Sequence, residues 1–266
     1  MSTTEEEARA ALRERLGSGA RYDSSDAPSR ELAWARSGTA YFARVLNRLT
    51  DDELYEPSLM EGWTRAHVVA HVGYNARALT RLVEWARTGV ETPMYRSTAQ
   101  RGREIERGST LPARALRNLF AHAEVHLNVE WRDLEEGQWE HEVVTAQGRT
   151  VAVRETAWMR TREVWVHAVD LDASGSFLDV PADVIDEIIA DVQRMWTRRD
   201  ETPDLVLRPT DRAEPLTLGQ GGTEVTGAAA DLARWLAGRG ARRLAVDGAA
   251  VDDEDPDLLP VLPRWF

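Results

Sequence analysis

The chain has 266 residues, 42% of them apolar and 29% charged, which suits one or two globular domains. Its 45 acidic residues against 33 basic ones, all of the latter arginine, leave a formal net charge of -12 and argue against nucleic acid as a partner. There is no cysteine, so disulfides, thiolate metal ligands and a nucleophilic sulfur of the protein's own are excluded. No apolar run approaches the roughly 18–20 residues of a membrane span. The stretch Met1 to Glu7 is acidic where a secretory signal would be positive. The expected location is the cytoplasm, with no membrane partner.

Residues 1–27 form a polar N-terminal extension with room for a short helix around Glu5 to Leu16. From Pro28 to Leu49 the residues Leu32, Trp34, Ala35, Tyr41, Val45, Leu46 and Leu49 recur near helical spacing and predict a first helix. After a loop with Pro57 and Gly62, Thr64 can cap a second helix that runs to about Gly89. That helix carries His67 and His71 one turn apart, and the spacing favours neither as the one facing a site. Residues 89–111 read as a long connection, of a kind that often borders a binding site. Pro112 opens a third helix, to about Glu135, whose His122 and His126 read as surface or packing residues. Val143-Val144-Thr145 and Thr150 to Val153 predict a hairpin around Gln147-Gly148. A fourth helix spans about Arg154 to Asp172.

After Gly175 the texture changes. A helix is expected over Pro181 to Thr197, then short strands at Leu205 to Leu207, Leu216 to Leu218, Thr223 to Val225 and Leu244 to Val246. A further helix, Ala228 to Ala237, ends at Gly238-Arg239-Gly240. The predicted fold is an N-terminal all-α four-helix bundle over residues 28–175, followed by a small α+β C-terminal domain over residues 176–266.

The fourth helix holds the most informative stretch, Arg162 to Asp170. Glu163 and His167 are four residues apart and so share one helix face. A carboxylate and an imidazole at that spacing can meet one divalent ion, zinc first among them. Val164, Trp165, Ala168, Val169 and Leu171 surround the pair, so it does not sit on a simply solvated face. The plainer alternative is a surface ion pair or a core histidine. A zincin protease is excluded: it needs His-Glu-x-x-His, and His141-Glu142 is followed by Val143-Val144-Thr145.

Several short segments, in order and at matching spacing, carry a family resemblance. They are Glu61-Gly62-Trp63-Thr64-Arg65 with His71, Glu91-Thr92-Pro93-Met94-Tyr95, Leu116-Arg117-Asn118-Leu119 and Thr145 to Thr150. Trp158-Met159-Arg160, Arg162 to Leu171, Ala237-Gly238-Arg239-Gly240 and Pro263-Arg264-Trp265 continue it. Over about residues 30–266 the chain resembles the mycothiol-dependent maleylpyruvate isomerases, zinc enzymes with a DinB-like helical bundle and a smaller C-terminal domain. The resemblance implies His71, Glu163 and His167 as zinc ligands, with His67 one turn away. It implies Arg239 as the catalytic arginine; without the resemblance, Arg239 reads as a cation complementing a helix C-terminus.

The implied reaction suits these residue types. Adding a thiolate to a conjugated cis double bond makes that bond single, and rotation and expulsion of the thiolate then give the trans isomer. Because the chain has no cysteine, the sulfur must come from a cofactor, which the resemblance implies is mycothiol. The implied partners are that small thiol and an anionic dicarboxylate, maleylpyruvate. An arginine fork matches a carboxylate; besides Arg239, the weaker candidates are Arg149, Arg160 and Arg162. Two other readings stay open: a mycothiol S-transferase acting on another electrophile, and a non-catalytic metal- or thiol-binding module.

Overall fold

The computed structural model describes residues 11, 23–252 and 257–265. The short helix expected around Glu5 to Leu16 lies, but for one position, outside the described residues, as does most of the acidic segment from 252 to 257. Contacts divide the chain into two compact units, Met1–Ser174 and Gly175–Phe266.

The first unit is built from α1 (Ser29–Leu46), α2 (Arg65–Thr88), α3 (Thr98–Ser109), α4 (Ala113–Asp133), the hairpin β1 (Glu142–Val144) and β2 (Thr150–Ala152), and α5 (Glu155–Asp170). α2 lies against α3, α4 and α5, while α1 lies along α5. A helix touched on three sides has to be thin. α2 is accordingly rich in small buried residues, with Ala66, Ala70, Gly73, Ala76 and Ala78 between its valines and leucines. The core runs from Leu79, Leu82 and Val83 of α2 to Leu127 and Trp131 of α4, Trp139, and Val143 and Val151 of the hairpin. α1 and α5 meet at Gly38, where an added Cβ would stand 2.6 Å from both Trp165 Nε1 and Val164 Cγ2. The close approach lets Trp165 Nε1 donate to Trp34 O at 3.1 Å.

The connection between the second and third expected helices contains a helix of its own. α3 leaves no clear periodic signal because it buries only Ile105, Gly108 and Ser109. It starts on Ser97, whose hydroxyl accepts from the Gln100 N–H. Gly108, which reads in the sequence as a breaker, is instead required by packing: its Cβ would fall 2.7 Å from Ala70 Cβ and Tyr74 Cε2 on α2. In the hairpin, Val143 pairs with Val151 and both point inward, and Gly148 takes a φ of 76° at the turn.

The second unit has α6 (Ala182–Arg199), β3 (Leu205–Pro209), β4 (Leu216–Leu218), β5 (Thr223–Gly227), α7 (Ala229–Leu236), β6 (Ala245–Val246) and β7 (Ala249–Ala250). The strands form one sheet in the order β4-β3-β5-β6-β7, parallel between β3 and β5 and antiparallel elsewhere. β7 lies beyond the strands expected from sequence. It returns from β6 through Asp247 and Gly248, both at positive φ, the geometry a two-residue hairpin needs. α7 packs on α6. The closing segment is fastened to α6: Trp196 Nε1 donates to Pro263 O, and Trp265 Nε1 to Asp191 Oδ2. Among the described residues no helix is long and apolar enough to cross a membrane.

Candidate metal centre

His71 comes from the second turn of α2; Glu163 and His167 come from one face of α5. Packing of these two helices brings the three side chains together. Glu163 Oε2 lies 2.9 Å from His71 Nε2 and 3.3 Å from His167 Nε2, and the two imidazoles meet edge to face with ring centres 4.7 Å apart. One ligand atom from each residue lies within 4.8 Å of the others. The site is enclosed: His71 is 5% exposed and His167 9%.

The three side chains form a tight polar cluster. Glu163 Oε2 is buried and accepts no hydrogen bond with proper angles, although two imidazole nitrogens stand within contact of it. An ionised, buried oxygen without a hydrogen bond is costly unless something else meets its lone pairs. Donors around a tetrahedral ion with bonds of about 2.0–2.1 Å stand roughly 3.4 Å apart, close to the spacing found here. The residues therefore fit a divalent cation.

Asp170, fully buried at the end of α5, orients the set: its Oδ2 accepts from His167 Nδ1 at 2.7 Å. A carboxylate can only accept, so His167 carries a proton on Nδ1, and Nε2 is the ring atom it presents toward Glu163. Burial pulls the His167 pKa down, but the bond to Asp170 and the contact with Glu163 outweigh it and push it up to about 9. For His71 burial wins and holds the imidazole below its ordinary 6.5. Burial would raise Glu163; the two imidazoles overcome this and hold it well below 4.5, so the carboxylate is ionised at neutral pH.

Arg160, 1% exposed and one turn before Glu163, ties the two ligand-bearing helices together. Its Nη1 donates to Val72 O at 2.8 Å and to Asn75 Oδ1 at 3.2 Å, both on α2. Trp63 lies edge-on to His71 and stacked on His67. His67 is otherwise engaged. Its Nδ1 accepts from the Thr64 N–H at 3.2 Å in the capping box that starts α2. His122 and His126 do not join the cluster. His126 stands instead with Glu84 of α2 and the buried Glu130 of α4, where Arg87 already pairs with Glu130. Arg239 belongs to the second unit, between Gly238 and Gly240 at φ 75° and 82°, and donates to Ala237 O at the end of α7.

Sequence reasoning does not single out Asp170, Tyr95 or Arg101. Asp170 has a legible signal: three residues after His167, it shares that helix face. Arg101 has none, since its place depends on α3.

The fold and site define a mostly helical protein with a small C-terminal sheet and a buried His–Glu–His centre of metal-binding type. The model of the mycothiol maleylpyruvate isomerase N-terminal domain family matches residues 35–172. The crystal structure of the mycothiol-dependent maleylpyruvate isomerase is similar at 43% identity and a TM-score of 0.81, covering 89% of this chain and 96% of that one. A histidine-to-alanine mutant of that enzyme gives the same values. No curated protein matches. The chain belongs to the mycothiol maleylpyruvate isomerase family.

Proposed function

We propose that the protein isomerises maleylpyruvate to fumarylpyruvate with mycothiol as cofactor and zinc held by His71, Glu163 and His167. The observation that carries this reading is the buried Glu163 Oε2, without a hydrogen bond between two imidazole Nε2 atoms, in a chain of this family. Two histidines and one carboxylate leave a coordination position open, the pattern of a catalytic rather than a structural zinc. When bound, the ion stabilises a thiolate at neutral pH, where a free thiol with a pKa of about 8.5 is mostly protonated. The chain's own residues do the rest. Asp170 fixes the His167 tautomer, Arg160 holds α2 against α5, and Trp63 covers the imidazoles from water. Arg239 is assigned to the substrate's charge, because a dicarboxylate approaching a protein of net charge -12 needs local cations.

The same reading treats α1, α2, α4 and α5 as a DinB-like four-helix bundle, supported by the packing of α2 on α4 and of α5 on α1 and α2. It takes residues 28–175 as the metal-binding domain and 176–266 as the α+β domain. A cytoplasmic setting, in the breakdown of gentisate-type aromatic compounds, suits a reaction that runs on a reduced thiol. The test is the initial rate of maleylpyruvate loss by dialysed, zinc-loaded protein with and without mycothiol. The rate is expected to be negligible without the thiol and to saturate as it is added. Full activity in its complete absence would overturn the mechanism and point to metal-bound water.

A further inference from the structure

We propose that Arg101 is the carboxylate-receiving arm of this site in the first unit, positioned by Tyr95. Arg101 stands on α3 and Tyr95 in the connection just before it, where the Tyr95 ring packs against the edge of the hydrophobic core. Arg101 Nη2 stands 3.4 Å from His71 Nδ1, and its guanidinium lies against the Tyr95 hydroxyl. The arm thus reaches the candidate ligand set from the side opposite the His71–Glu163 contact on the imidazole ring.

Among the described residues Arg101 makes no ion pair, as is also true of Arg77, Arg81 and Arg107; its place 3.4 Å from His71 Nδ1 is what sets it apart. Arg160 also lacks an ion pair, but it is 1% exposed and its Nη1 is spent on Val72 O and Asn75 Oδ1, where it ties α2 to α5. Arg101 is only partly buried, which leaves it both oriented and reachable. Tyr95 orients it without cancelling its charge: burial pushes the phenol up to about 12, so it remains neutral at physiological pH. A planar fork with free donors beside a metal-type centre is suited to a carboxylate, which it can grip through two parallel N–H bonds.

The identity of the ligand rests on the proposed function. Maleylpyruvate carries two carboxylates, and Arg101 supplies a second cation besides Arg239. Arg101 binds and Tyr95 positions; neither transfers a proton.

The experiment uses the zinc-loaded full chain without thiol, titrated calorimetrically with maleate, a cis dicarboxylate that has no nucleophile to react with there. Direct coordination of maleate by zinc is common to every variant, so the difference between variants isolates the arm. Arg101→Gln is expected to weaken maleate binding at least tenfold with zinc stoichiometry unchanged. Arg101→Lys should recover part of the loss, and Tyr95→Phe should cost a few-fold. With mycothiol present, Arg101→Gln should raise KM for maleylpyruvate more than it lowers kcat. The proposal is overturned if Arg101→Gln binds maleate within twofold of the parent, if it loses zinc instead, or if the parent does not bind maleate. Should the parent bind maleate through Arg101 yet fail to isomerise maleylpyruvate, the arm stands and the isomerase reading falls.

Discussion

Asp170 offers the most discriminating perturbation, because it reaches the candidate centre through His167. Its carboxylate is fully buried and accepts from His167 Nδ1 at 2.7 Å, a short, charge-assisted bond in a water-free place. Hydrogen bonds to charged groups contribute about 1.5–3 kcal/mol. At 1.4 kcal/mol per tenfold, that is roughly 10–100-fold in the affinity of a metal whose ligand the bond orients, the range expected for outer partners of metal-bound histidines. Asp170→Asn keeps the shape and can still offer an amide oxygen, so it should lose about tenfold in zinc affinity. Asp170→Ala removes the acceptor and leaves a cavity, and should approach 100-fold. The assay is competition for zinc against a chromophoric chelator, with circular dichroism and thermal unfolding run alongside to separate loss of metal from loss of fold. A folded Asp170→Ala protein that binds zinc within twofold of the parent would refute the orienting role.

Three further predictions follow from other contacts. His71→Ala, Glu163→Ala and His167→Ala should each bring bound zinc below one equivalent by elemental analysis, whereas His67→Ala should keep it, since the His67 ring serves the α2 cap; the opposite pattern on α2 would reverse the ligand assignment. Gly38→Ala should destabilise the protein, although alanine favours helices by about 1 kcal/mol. Its Cβ would meet Trp165 and Val164 at 2.6 Å, and overpacking of this kind costs about 1–3 kcal/mol, to which loss of the Trp165–Trp34 bond adds about 1. An unchanged or higher Tm would contradict the close approach of α1 and α5. Arg239→Ala should leave zinc content and fold intact and reduce kcat/KM by about 2–5 kcal/mol of transition-state binding; unchanged steady-state kinetics would reduce Arg239 to a helix-end residue.

Features confined to one turn or one strand can be read from the chain. Glu163 and His167 share a face because they are four residues apart, and no tertiary contact alters that. The long amphipathic helices announce themselves through periodic apolar residues, and the Gln147-Gly148 turn through its chemistry. Composition alone carries one mechanistic constraint: a chain without cysteine must borrow the sulfur for any thiol-dependent reaction.

Tertiary packing alone decides the remainder. His67 and His71 are one turn apart on α2, so periodicity treats them alike; the capping box holds His67, and the approach of α5 brings Glu163 to His71. α3 is hard to see in the sequence because a helix that buries so few side chains leaves almost no hydrophobic period, and its Gly108 signals a break where packing needs a close contact with α2. Arg101 acquires its place beside His71 only through that helix. A sequence records which groups a turn of helix puts side by side. Which turns then face each other is set by how small residues such as Gly38, Gly73 and Gly108 let whole helices approach, a property of surfaces in contact rather than of spacing along a chain.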